Sequence, residues 1–273
     1  MIFRRYVRKN MDIMASIVCF GACTLYPEER PRTGVWSLQS ANIQPEWFED
    51  EQDVPFLLAG LTEDAPDAYM LPAMIDAGDQ GPQASGTAWA AGYTATSYLV
   101  RKKNNSGQYV CSPAFIYNEL NEKQNRGIEI YEALILLKNT GCPDMRYMPY
   151  KPMDYSTAPD RTAYNSAAAH RIQGFGRVEF FDLNQVKAHL LQGRVVIVTL
   201  RITENFLTLD QYVWEAPSGE RRGRHTIALI GYDDVRNQFI FQNSAGAAWG
   251  QYGRGAIPYV WFVRMAQKAY VLW

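Results

Sequence analysis

At 273 residues, 47% of them hydrophobic and 13% aromatic, the chain can bury a sizeable core as one unit or as two lobes. Its formal net charge of −1 excludes the basic excess expected of a general nucleic-acid surface. The sequence shows no low-complexity tract, no internal repeat and no apolar run long enough to cross a bilayer once mature.

The first residues read as a segment of their own. Arg4, Arg5, Arg8 and Lys9 precede an uncharged run from Ile13 to Tyr26, the pattern of an export leader over 1–26. Phe20-Gly21-Ala22-Cys23 also resembles a bacterial lipoprotein cleavage box, which would make Cys23 a membrane tether. The alternative is a buried N-terminal strand or helix, and Asp12 beside the apolar run favours it. Export implies the periplasm, the envelope or secretion; without a leader the expectation is cytoplasmic. Residues 27–68 form an extension rich in Pro, Glu and Asp, with Trp36, Trp47 and Phe48 scattered through it. Either it drapes over the fold or it is a short propeptide-like piece, and a domain follows over 69–273.

Within that domain Ser85 is the expected cap of a helix from Gly86 to Arg101, whose Ala88, Ala90, Ala91, Gly92 and Ala95 allow close packing. Ser112-Pro113 predicts a second helix start. A third helix is expected over Ile128 to Asn139, with Ile130, Ala133, Leu134, Leu136 and Leu137 on a broad apolar face and Gly141 as its stop. The pattern then changes. A short helix over Leu183 to Leu191 ends at Gly193, and strand-like runs follow at Val195–Leu200, Thr226–Tyr232, Phe239–Gln242 and Ala256–Val260. Helices first and antiparallel strands later predict an α+β fold. Arg221-Arg222-Gly223-Arg224 reads as a solvated loop, one that would favour an acidic partner if it rimmed a cleft. Cys111 and Cys142, the two cysteines outside the leader, permit at most one bridge, and no histidine stands near them at zinc-ligand spacing. No metal and no other cofactor is expected.

Asp79-Gln80-Gly81-Pro82-Gln83-Ala84-Ser85-Gly86-Thr87-Ala88-Trp89, together with His225 and with Asn243-Ser244 followed by Trp249-Gly250, resembles papain-like cysteine peptidases over about Leu71 to Phe262. The resemblance implies a papain-like two-lobe fold, a helical left lobe and an antiparallel β-barrel-like right lobe, with a cleft between them that holds an extended peptide or protein segment. It also implies roles: Gln80 as oxyanion donor, His225 as acid/base, Asn243 as the residue orienting the imidazole. The family's nucleophile lies six residues after the glutamine, and that position here is Gly86, so the sulfur is missing. Ser85 and Thr87 stand one step away, and about 100° of helical rotation per residue turns both from His225. Ser85 and Trp249 are expected at the cleft, Trp249 as a packing residue beside the site; Tyr147 and Tyr150 are expected in the lobe core. Alanine at 245, where most members have a tryptophan, is expected to leave the histidine–asparagine pair wetter. Few cysteines, and Gln83 where secreted animal and plant members have one, suggest a bacterial-type branch.

Each residue has a plainer reading. His225 could be a satisfied strand histidine, and Gln80 and Asn243 ordinary turn residues; the combined boxes argue against that. Three functions follow: an inactive papain-fold module that binds peptide or protein or acts as a scaffold, a cysteine endopeptidase whose recorded sequence carries an inactivating change at 86, or a structural subunit of a bacterial envelope or secretion assembly.

Overall fold

Helix starts follow from side chains placed at the right offset. In the computed structural model, which describes residues 53–104 and 108–273, Ser112 accepts from the Phe115 amide at 3.2 Å and Pro113 opens the helix Pro113–Leu120. A reciprocal Glu129/Glu132 capping box opens Ile130–Asn139, and Gly141 follows it at φ +93°. Asp160 caps Arg161–Ala168, and Asp182 caps Leu183–Leu191, which runs out at Gly193 with φ +73°. The leader, Cys23 and residues 27–52 of the extension lie outside the described residues.

The predicted Gly86 helix is longer and less regular than its pattern suggested. A turn of α-helix, Gly86–Ala88 (α1), passes into a widened π stretch, Trp89–Thr96 (α2), and then into Ser97–Asn104 (α3). Ser85 does not cap it: its backbone is outside the extended region and its hydroxyl is 2.7 Å from the Tyr150 hydroxyl instead. Within the π stretch Thr96 Oγ1 donates to the Ala91 carbonyl at 2.8 Å, taking up backbone capacity that the wide turn releases. Gly92 is required there by space. A Cβ on it would meet Cys111 Sγ at 2.9 Å and run into Ile116 Cδ1. The remaining helices are α4 (Pro113–Leu120), α5 (Ile130–Asn139), α6 (Arg161–Ala168), α7 (Leu183–Leu191), α8 (Glu204–Leu207) and α9 (Tyr259–Met265). Cys111 and Cys142 are joined in a fully buried disulfide with Cα atoms 5.5 Å apart, pinning the start of α4 to the segment after α5.

The second half builds a seven-stranded sheet from β1 (Ala68–Met70), β2 (Phe175–Arg177), β3 (Val196–Thr203), β4 (Arg221–Asp233), β5 (Gln238–Gln242), β6 (Arg254–Pro258) and β7 (Ala266–Leu272). Its order is β2-β7-β3-β4-β5-β6, with β1 added to the far end of β4, and every pairing is antiparallel. The barrel-like expectation is corrected: β2 and β6 do not pair with each other, so the sheet stays open. Each outer strand is covered locally. Leu57 N donates to Arg177 O at 2.9 Å along β2, and Trp214 N donates to Ala256 O at 2.8 Å along β6. The last predicted strand is also corrected, because β6 ends at Pro258, which fixes φ and starts α9.

The charged run Arg221–Arg224 is not a loop. It forms the first turn-proximal stretch of β4, opposite β3, with Arg222 bonded to Glu204 at 2.6 Å and Arg224 to Glu129 at 3.2 Å. Arg222 and Arg224 are answered internally, which weakens the argument for an acidic partner there, while Arg221 stays exposed. Residues 53–59 lie against β2 and α7, with Val54 and Ala59 buried and His189 Nε2 donating to the Leu57 carbonyl at 2.9 Å.

Candidate active site

The site is assembled by a short antiparallel contact between two loops. Gln80 N donates to Ser244 O at 2.8 Å, Gly246 N donates to Gly78 O at 3.0 Å, and Asp79 bridges Ala245. This places the glutamine box beside the asparagine box, 163 positions on in the chain at Asn243. β4 supplies His225 from one side and the start of α1 supplies Gly86 from the other.

His225 and Asn243 make the expected pair, Nε2 to Oδ1 at 2.7 Å. The Ser244 amide also donates to Asn243 Oδ1 at 2.8 Å, which identifies that atom as oxygen. The imidazole proton therefore lies on Nε2, and Nδ1 carries the lone pair on the side of Gly86. Burial pushes the His225 pKa down to about 4, against the opposite pull of the Asn243 bond, so the ring is neutral at neutral pH. The wetter pair expected from Ala245 is not found: His225 is 6% and Asn243 4% exposed. Phe206 takes up the shielding, its ring 5.7 Å from the imidazole and 5.1 Å from Trp249, whose indole N–H holds the Phe206 carbonyl at 2.8 Å. One atom is left out, since Asn243 Nδ2 is buried with no hydrogen-bond partner among the described residues, a cost of about 1–3 kcal/mol.

Gly86 is where the geometry departs from a working thiol site. A Cβ on it would lie 2.8 Å from His225 Cε1, 3.0 Å from Nδ1 and 3.2 Å from Gln80 Oε1. Its φ is not positive, so the backbone does not demand glycine; the space does. The imidazole fills the volume in which a nucleophile's side chain would begin. Gln80, 2% exposed, presents its oxygen on that side, because Nε2 donates to the Gln83 carbonyl at 2.6 Å while Oε1 accepts from Ser244 Oγ at 2.6 Å. An amide oxygen there repels an oxyanion where an N–H would hold it.

The neighbouring hydroxyls are committed elsewhere. Thr87 Oγ1 donates to the Ile128 carbonyl at 2.9 Å, and Ser85 is engaged with Tyr150. Ser85 and Trp249 are 0% and 5% exposed, packed inside rather than turned to solvent. Tyr150 is half-buried, donates to the Gln80 carbonyl at 2.7 Å and is pushed up to about 12 by burial, whereas Tyr147 is exposed rather than in the core. Sequence reasoning quoted Ser244 within the asparagine box without giving it a role, and missed Phe206. Ser244 had a signal, as the residue directly after Asn243; Phe206, in the short α8, had none.

A buried Gln, His and Asn converging on the start of a long helix, above an antiparallel sheet, is the arrangement of a cysteine protease of the papain type. Residues 78–269 match the papain family cysteine protease domain, and the chain belongs to that family. A curated relative, the uncharacterized peptidase C1-like protein L477 of Acanthamoeba polyphaga mimivirus, is 25% identical over 208 residues, 69% of this chain and 66% of that protein. Among solved structures the fold is similar to xylellain, a cysteine protease from Xylella fastidiosa, with TM-score 0.75 and 19% identity over 91% of this chain and 98% of that one. It is also similar to the bromelain protease of Ananas comosus, with TM-score 0.65 and 18% identity over 76% and 99%.

Proposed function

We propose that this papain-family chain has no peptidase activity and works as a binding or scaffold module whose groove accepts an extended peptide or protein segment. One observation carries the reading: the imidazole occupies the space next to Gly86 from which a nucleophile would project. Two others support it. With no thiolate at 86 to hold its charge, burial leaves the histidine neutral, and the Gln80 oxygen faces the site. Strand-like binding of a peptide needs backbone pairing and side-chain pockets, not sulfur.

The sparse cysteines and Gln83 support a bacterial-type branch. The Cys111–Cys142 bridge favours folding in an oxidising compartment, in keeping with export by the basic–apolar leader, and mass spectrometry of the mature N-terminus tests both the leader and the Cys23 tether. The functional test pairs two assays on one set of fluorogenic dipeptide and tetrapeptide amides. The expected result is no turnover, with saturable binding of the longer peptides. Turnover abolished by a thiol alkylator would sink the inactive reading, and absence of binding to any extended peptide would sink the groove function.

A further inference from the structure

Both residues flanking His225 on β4 are tied to the helical layer. On one side Arg224 Nη2 lies 3.2 Å from Glu129 Oε1, and Lys268 Nζ, from β7, lies 3.2 Å from Glu129 Oε2. Glu129 is itself fixed by the capping box of α5. The three side chains are 15%, 6% and 17% exposed for Arg224, Lys268 and Glu129. On the other side the Thr226 hydroxyl is 2.9 Å from that of Thr87. Because Thr87 gives its proton to the Ile128 carbonyl, Thr226 is the donor in that pair. Thr199 of β3 continues the chain at 3.4 Å. The two ties thus start one residue before and one after His225, and they end on adjacent residues, Ile128 and Glu129, with Thr87 next to Gly86.

We infer that the Glu129–Arg224–Lys268 cluster and the Thr87–Thr226 hydroxyl pair form a lock between the sheet and the helical layer, the first at the start of α5 and the second at α1, holding them at a spacing that leaves no room for a side chain at position 86. Glu129 is the keystone of the cluster, because removing its charge leaves two largely buried cations, Arg224 and Lys268, without the carboxylate that both of them meet. The hydroxyl chain has a single direction, since a carbonyl can only accept. With both ends of the His225 segment held, the ring cannot back away from Gly86 by a shift of the strand. The lock rests on the closed-site reading above and is independent of whether the groove takes peptide.

A double-mutant cycle of Gly86→Ala with Glu129→Gln, read by urea unfolding of the full chain, tests it. In the otherwise native background Gly86→Ala is expected to raise the unfolding equilibrium constant roughly tenfold to a hundredfold, as overpacking does. With Glu129→Gln the layers can part, and that penalty is expected to shrink by at least about fivefold, whereas independent effects would agree within about twofold and overturn the lock. Thr226→Val, which removes the hydroxyl at similar shape, provides the same cycle where Glu129→Gln does not fold. A second readout belongs to the folded state: the thiol introduced by Gly86→Cys should alkylate faster once either tie is cut, and an unchanged rate overturns the lock. Peptide binding lost while the coupling persists would refute the groove function and leave the lock standing.

Discussion

Lowering the pH past the point where a free histidine charges should expose the state of His225 directly. Unfolded, the ring titrates at 6.5; folded, burial holds it to about 4. Between those values the unfolded chain binds the proton and the folded one does not, so stability rises with pH across the window. The contribution is fully present above 6.5, is lost as the pH falls from 6.5 to about 4, and is flat below that. At roughly 1.4 kcal/mol for each pH unit, the whole effect is about 3 kcal/mol. His189 is also buried, with its pKa lowered by desolvation, and adds a loss of the same sign. The His225 part is therefore isolated by difference, from urea unfolding of the native chain and of His225→Leu at half-unit steps from pH 4 to 8. The native chain should lose about 3 kcal/mol more than the variant over the window, with the imidazole Cε1–H resonance unchanged down to pH 5. Parallel loss in both proteins, or a ring that titrates near 6.5 in the folded state, would refute the buried neutral histidine.

Gly86→Cys alone is expected not to create a peptidase, because the new Cβ would lie 2.8 Å from His225 Cε1 and overpacking would cost about 1–3 kcal/mol. Burst titration with an irreversible thiol-directed inhibitor, together with Tm, checks both halves. Replacing Cys111 and Cys142 by serine should lower stability by about 3–4 kcal/mol, the chain entropy of a closed loop of this length, read by unfolding under reducing and oxidising conditions. Ser244→Ala removes the hydroxyl that holds Gln80 Oε1, leaving a buried acceptor unanswered; a loss of about 1–3 kcal/mol is expected, and an effect below about 0.5 kcal/mol would contradict a buried Ser244–Gln80 hydrogen bond.

Where local chemistry decided the structure, the sequence was legible. Ser112-Pro113, Gly141 and Gly193 mark boundaries that the folded chain keeps, because a cap or a positive φ acts over a few residues. Tertiary contacts overrode the local reading elsewhere. Ser85 has the type of a cap but finds Tyr150, and Arg221–Arg224 has the charge of a loop but finds Glu204 and Glu129 across the fold. The helix Arg161–Ala168 and the short strands β1 and β2 carry too little periodicity to stand out. At the site, three residues far apart in sequence were recognisable from their boxes, and the structure brings Gln80, His225 and Asn243 together. No pattern of letters could show that the ring would take the space beside Gly86, or that Gln80 would turn its oxygen towards it. Both depend on distances set by the packing of the two layers.

Cleavage of a complex peptide mixture tests the central claim most directly. Purified chain is incubated with a proteome-derived peptide library at pH 5 and pH 7.5, and new termini are counted by mass spectrometry against a heat-inactivated control. No new termini above the control are predicted at either pH. Reproducible cleavage sites that vanish on thiol alkylation would contradict the account.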